Sequence, residues 1–165
     1  IAGDRFNNDI MSYIRNEFKI LIGEKTAEYI KVTVGAVVPG ESLETTIRGR
    51  DLITGLPREV VITDSDIREA MSSSIDTLVE STKEVLETTP PEILADVMHR
   101  GIHLVGGGAL IKGLDGLLTS IIKIPVYIAE DPLTAIARGT GIILENLEKY
   151  SSVLIQNEDE LRTQK

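Results

Sequence analysis

The segment His103–Leu114, HLVGGGALIKGL, sets three consecutive glycines between a short apolar run and a helix-like pattern. A strand, a glycine-rich turn and a helix in that order form a place where a ligand can meet bare backbone and helix N-terminal amides, as at the switch point of an α/β sheet. The segment is neither of the common phosphate loops. No Gly-Lys-Ser/Thr closes it, and Gly106, Gly107, Gly108 and Gly113 are wrongly spaced for a dinucleotide fingerprint. Taken alone, it fits a ligand cradle and a tight structural turn equally well. A second polar group, Glu24, Lys25 and Glu28 in GEKTAE, opens a helical pattern, and by itself such spacing reads as a solvated helix face. His99 and His103 stand four apart with no acidic ligand between them, and there is no cysteine, so no zinc site assembles. His103, on an apolar strand, reads as a core histidine.

Composition narrows the classes. At 165 residues the chain can hold one sizeable core or two small lobes sharing one. Hydrophobic residues make up 42%, too many for disorder, yet no apolar run is long enough to span a membrane. The formal charge of −9, from 17 basic and 26 acidic residues with no basic-aromatic block, excludes a nucleic-acid partner. The start, IAGDRFNNDI, has neither Met nor a targeting pattern and is read as the interior of a longer protein.

The elements that must position these residues follow from periodicity. Ile10, Ile14, Phe18 and Leu21 share one face of a helix expected to end at Gly23, flanked by Met11 and Ile22. A helical pattern continues through Ala27 and Ile30, after which a small antiparallel β unit is predicted over about residues 31–63, with alternation at Leu43, Thr45 and Ile47, a turn at TGLP, and a strand from Val60 to Ile62. A long helix follows with Ile67, Met71, Ile75, Leu78, Val85 and Leu86 inward and Asp66 with Glu69 as capping pair. Then come a short helix after Pro90 and Pro91, closed by Gly101, the strand IHLV, the glycines, a helix through LIKGLDGLLTSIIK, the strand IPVYIA, and a last helix from Asp131 and Pro132 to about Tyr150. Gly139 and Gly141 in that last helix read as close-packing positions, and Gly3 with Asp4 as a loop closing onto the first helix, with a weak ligand contact as the other reading. Alternating strands and helices indicate an α/β layer of parallel strands. There is no internal repeat.

The order of segments then carries a resemblance. AGDRFNNDI, IGEKTAEYIK, TTIRGRDLITGLPREVVIT, SDIREAM, TPPEILADVMHRGIHLVGGGALIKGLDGLL and IPVYIAEDPLTAIARGTGIILENLEKY together resemble the C-terminal half of the MreB family of bacterial actin-like cell-shape proteins, from residue 1 to about 150. The resemblance implies an α/β, actin-like ATPase (ribonuclease H-like) lobe with a small antiparallel β insertion. It divides the chain into a larger part, 1–22 with 64–150, an inserted part, 23–63, and a loose tail, 151–165. It implies ATP as cofactor, with Mg2+ bound through residues outside this chain. Gly106, Gly107, Gly108 and Ala109 are similar to an adenosine motif, with Ile111 offering apolar contact to the base. In GEKTAE, Glu24 would accept from the ribose hydroxyls, Lys25 and Glu28 would line the adenine edge, and Thr26 and Ala27 lie between them.

The same resemblance implies head-to-tail protofilaments of the protein with itself, a role beside other cell-shape and cell-wall elongation proteins in maintaining rod shape, and a cytoplasmic location on the inner face of the membrane, reached through regions outside this chain. The insertion around Glu44–Arg58, with both charge signs beside Leu52, Ile53 and Leu56, is the expected filament contact; an ordinary solvated hairpin is the other reading. Phosphate loops, a metal-coordinating acid and a water-positioning carboxylate belong upstream of Ile1, so the chain alone is not expected to hydrolyse ATP. Two other classes stay open: a non-polymerising ATPase of the same superfold, of chaperone or sugar-kinase type, and a stand-alone interaction module.

Overall fold

The computed structural model describes residues 3–40 and 42–154. Helix α1 (Gly3–Glu17) buries Phe6, Asn7, Ile10 and Ile14, a stripe repeating at about one helical turn. The predicted continuation to Gly23 does not occur. Lys19 turns the chain with a φ of 54°, and Ile20–Leu21 become strand β1. The helix end is tied down from the later hairpin, where Leu52 donates its amide to the Lys19 carbonyl at 2.9 Å and Arg58 donates to that of Phe18. Pairing buries Ile20 completely, and Gly23 then caps the start of the next helix.

Helix α2 (Glu24–Val34) runs past the point where β structure was expected, through Val32, Thr33 and Val34. Its buried stripe of Ala27, Ile30, Lys31 and Val34 against α1 outweighs the weak helix propensity of β-branched residues. Strands β2 (Glu44–Asp51) and β3 (Pro57–Thr63) form the antiparallel hairpin, and β1 adds to its edge in the order β1-β2-β3. Thus Ile20 pairs with Asp51, joining the 1–22 stretch to the hairpin. Asp51 is buried at the tip. Its Oδ1 accepts from the amides of Ile53 and Thr54, both at 2.8 Å, and its Oδ2 pairs with Arg58 at 2.7 Å.

Helix α3 (Asp64–Thr88) starts at a capping box one turn earlier than predicted. Thr63 is the cap and Asp66 its reciprocal partner, whereas Glu69 accepts a hydrogen bond from Tyr13 of α1 at 3.1 Å. Burial at Ile67, Met71 and Ile75 fits the expected face; Val79 is buried where Leu78 was expected, Leu78 and Leu86 are partly buried, and Val85 points to solvent. Helix α4 (Pro91–Arg100) leads to β4 (Ile102–Leu104), which pairs in parallel with β5 (Val126–Ile128). His103 is exposed and packs on Tyr127, with ring centroids 5.5 Å apart, because it points off the uncovered face of this pair and not into the core. Between these strands lie a 3-10 turn, Gly107–Leu110, and α5 (Leu114–Ile122).

The last helix is shorter than predicted. Helix α6 (Ala135–Glu145) has no buried residue, and a Cβ at Gly139 or Gly141 would meet open space, so among the described residues these glycines are not close-packing positions. The end of α3, α4 and the end of α5 frame an apolar groove of about 440 Å3 lined by Leu86, Leu94, Met98, Ile121 and Ile124. Of the tail 151–165, residues 155–165 lie outside the described residues, and Ser151–Val153 form a short 3-10 turn.

One core cluster draws on α1, α2, α3, α5 and both sheets. Met71 is 0% exposed at its centre, so Met71→Ala is expected to cost about 2–5 kcal/mol in urea unfolding. Val85, 64% exposed, should cost within about 0.5 kcal/mol as Ala.

Candidate functional site

The glycine motif opens onto a cleft of about 310 Å3, lined by Gly3, Phe6, Leu78, Leu104, Val105, Gly106, Gly107, Gly108, Ala109 and Leu114. Strand β4 delivers the glycines. Gly106 has a φ of 80°, a conformation that side-chain-bearing residues seldom adopt, and it donates its amide to the Pro132 carbonyl at 2.7 Å. Gly107 and Gly108 are different. A Cβ on Gly107 would sit 3.6 Å from Leu133, an ordinary contact, and one on Gly108 would meet nothing within 4 Å. Among the described residues nothing needs them bare, and both face the cleft.

Among the described residues no titratable side chain lines the cleft, so it offers backbone and apolar surface in place of acid-base chemistry. Among the described residues no group of three or more His, Cys, Asp or Glu could hold a metal ion. A flat, largely apolar group lying against bare backbone fits this wall. Ile111 is buried in the core and directs its side chain inward; its neighbour Leu110 is the exposed apolar one. Ala109 is buried as well.

The second expected segment occupies the first turn of α2. Glu24 and Lys25 are exposed, Thr26 is partly covered and Ala27 is fully buried. None of them lines the cleft, and Glu24 lies about 10 Å up the helix from Lys31, given the rise per residue. The other end of α2 reaches the glycine motif. After it the chain forms a parallel bridge, Ala36 to Lys112, in which Val37 donates to the Lys112 carbonyl at 3.0 Å. Gly113, with a φ of 79°, leaves room for Val38, whose Cγ2 would stand 2.3 Å from any Cβ there.

Glu28, expected at an adenine edge, is engaged elsewhere. Its Oε2 accepts from Lys31 Nζ at 2.6 Å and from Asn7 Nδ2 at 2.9 Å. Lys31 also donates to the Gly3 carbonyl at 3.4 Å. Gly3 and Asp4 belong to the first turn of α1, not to a loop, and Gly3 forms part of the cleft wall. Sequence reasoning missed Asn7 and Lys31. The available signal was a polar residue falling on each apolar stripe, Asn7 beside Phe6 and Lys31 beside Ile30.

A family model described as MreB/Mbl protein matches residues 1–152. The chain is 49% identical over 150 residues to the cell shape-determining protein Mbl of Bacillus cereus, covering 90% of this chain and 45% of that protein. It is 42% identical over 159 residues to the cell shape-determining protein MreB of Escherichia coli, covering 96% and 46%. Crystal structures of MreB5 of Spiroplasma citri superpose at 38% identity, with a TM-score of 0.85 for the form bound to AMPPNP and 0.86 for the form bound to ADP, each covering 92% of this chain and 46% of that one. The fold is therefore that of an actin-like ATPase lobe. The chain spans about half the length of the curated relatives it matches.

The hydrogen bond from Lys31, and then that from Asn7, hold the Glu28 carboxyl below its ordinary range. A folded value below the unfolded one, about 4.3, means that the carboxylate stabilises the fold above that pH and loses this effect as pH falls through the folded value. The side chain is half exposed, which limits the contribution to about 1 kcal/mol. Glu28→Gln should lower the urea-unfolding free energy by that amount near neutral pH, and the difference between variant and wild type should shrink as the pH falls through the folded value.

Proposed function

The chain belongs to the MreB/Mbl protein family, and from that premise we propose that it is the second lobe of an ATP-binding, filament-forming cytoskeletal protein that maintains rod shape by organising cell-wall synthesis. The observation that carries the reading is the pair of glycines, Gly107 and Gly108, whose bare backbone lines the cleft although this chain leaves room for a Cβ at each. Adenosine would lie against Gly106–Ala109, where a side chain would intrude on the ligand. The resemblance assigns Glu24 and Lys25, at the start of α2, to the ribose side of the nucleotide, although neither lines this cleft. Mg2+ and the groups that act on the phosphates would come from residues outside this chain, so hydrolysis needs the whole protein. The division into a larger part, 1–22 with 64–150, and an inserted part, 23–63, belongs to the same reading.

Self-assembly is its second element. The hairpin tip exposes Leu52, Ile53 (81% exposed) and Leu56, and buried Asp51 pre-orders the turn, which reduces the entropy lost when it docks. The apolar groove at Leu94 and Met98 lies at the far end of α3, which begins where β3 ends. At 25 residues this helix is about 37 Å long and runs from the end of β3 to the groove. Two different apolar surfaces on one lobe suit a heterologous contact between copies, one that propagates when the rotation does not close. The protein would work in the cytoplasm, on the inner face of the membrane, beside other cell-shape and cell-wall elongation proteins, through regions outside this chain. No described helix is long and apolar enough to cross a membrane.

Gly107→Val in the full-length protein should weaken ATP binding at least about ten-fold, near 1.4 kcal/mol, with little change in melting temperature. A lower melting temperature with an unchanged dissociation constant would show that the glycines serve a structural turn. Ile53→Asp combined with Leu56→Asp should abolish ATP-dependent sedimentation while nucleotide binding persists; intact filaments under the electron microscope would remove the hairpin from the contact.

A further inference from the structure

Two ion pairs with the same i,i+3 spacing occur on neighbouring helices and differ in one respect. Lys83–Glu80 on α3, at 2.8 Å, is exposed at both ends, with Lys83 at 40%, and such a pair contributes little. Lys31–Glu28 on α2, at 2.6 Å, has its lysine 7% exposed. A lysine is seldom so deeply buried without partners. Here the second partner is the Gly3 carbonyl, on the cleft-lining turn of α1.

Gly3 and Phe6 face the cleft, while Asn7, one residue on and 4% exposed, faces α2 and donates to the same Glu28 oxygen that Lys31 uses. A Cβ on Gly3 would stand 3.3 Å from the ammonium, so the absence of a side chain there lets Lys31 come up behind the wall. Glu28 balances the charge of Lys31, leaving the pair near neutral. Its effect on anything in the cleft therefore acts through position, not through field.

We propose that Lys31 is a positioning residue for the cleft: braced by Glu28, its ammonium holds the first turn of α1 in place as the wall opposite the glycine motif. The proposal rests on the nucleotide reading of the cleft. It adds a specific dependence, that affinity follows the order of α1 even though Lys31 does not line the cavity. Groups that touch a ligand gain precision from side chains that lock their supports.

The test uses the full-length protein with Lys31→Met, Lys31→Arg and Glu28→Gln. In Lys31→Met, hydrogen exchange of the amides of residues 6–9 should speed up, and ADP affinity should fall roughly ten-fold, a typical cost of losing an outer support. The affinity loss should be equal at about 50 mM and about 500 mM NaCl, since a positional effect is not screened. Lys31→Arg should keep most of the affinity. Glu28→Gln, at a half-exposed site and so the milder change for folding, should move both readouts the same way by less. Unchanged exchange at residues 6–9 in both Lys31→Met and Glu28→Gln overturns the proposal, as does a lower melting temperature with unchanged ADP affinity, or an affinity loss that disappears at high salt. If wild-type protein fails to bind ADP, the nucleotide reading fails, and the exchange comparison still decides whether Lys31 holds α1.

Discussion

Removing the Phe6, Ile10 and Ile14 stripe of α1 from water is what the remainder of the lobe is arranged around. Both α2 and α3 pack on this helix, and its end runs into β1, which starts the antiparallel sheet. Its beginning supplies one wall of the cleft. One desolvated helix face thus fixes two helices, a sheet edge and half of the candidate site. Polar groups close the seams the apolar stripe leaves: Tyr13 with Glu69 towards α3, and Asn7 with Glu28 and Lys31 towards α2. At the first seam, burial together with the hydrogen bond to Glu69 pushes the Tyr13 hydroxyl up to about 12, so it stays protonated as a donor at any physiological pH.

Periodicity made the helices legible because burial is periodic. Ile10 with Ile14, Ala27 with Ile30, and Ile67 with Met71 and Ile75 all lie where the 3.6-residue repeat put them. Boundaries were less legible, since they depend on partners far along the chain. The end of α1 is set by Leu52 and Arg58 of the hairpin, and the persistence of α2 through three β-branched residues by packing on α1. Local sequence carries neither fact. Exposure at the C-terminal end was illegible for a different reason. The apolar periodicity of α6 is real, but among the described residues none of its side chains is buried, and a sequence pattern does not say which surface an apolar face meets.

For the site, the glycine run was readable as a bare stretch of backbone, and the structure adds which glycines are bare for conformational reasons and which face open space. Gly106 needs its positive φ, and Gly113 needs room for Val38, while Gly107 and Gly108 need neither. Lys31 escaped notice because charge normally marks an exposed position. Its burial becomes visible only once Gly3, 28 residues away, is brought alongside.

Helix α3 has a mechanical consequence. It is capped by a box of reciprocal hydrogen bonds where β3 ends, and it runs unbroken for 25 residues to the rim of the apolar groove. A continuous hydrogen-bonded helix resists stretching far better than a loop of the same length. A load passed from the end of β3 into α3 would therefore be carried along the helix and reach the groove with little extension on the way. Lobes strung end to end through those two points would act as stiff links joined by softer couplings, so that bending elasticity of such a string resides in the joints between links and hardly at all within them.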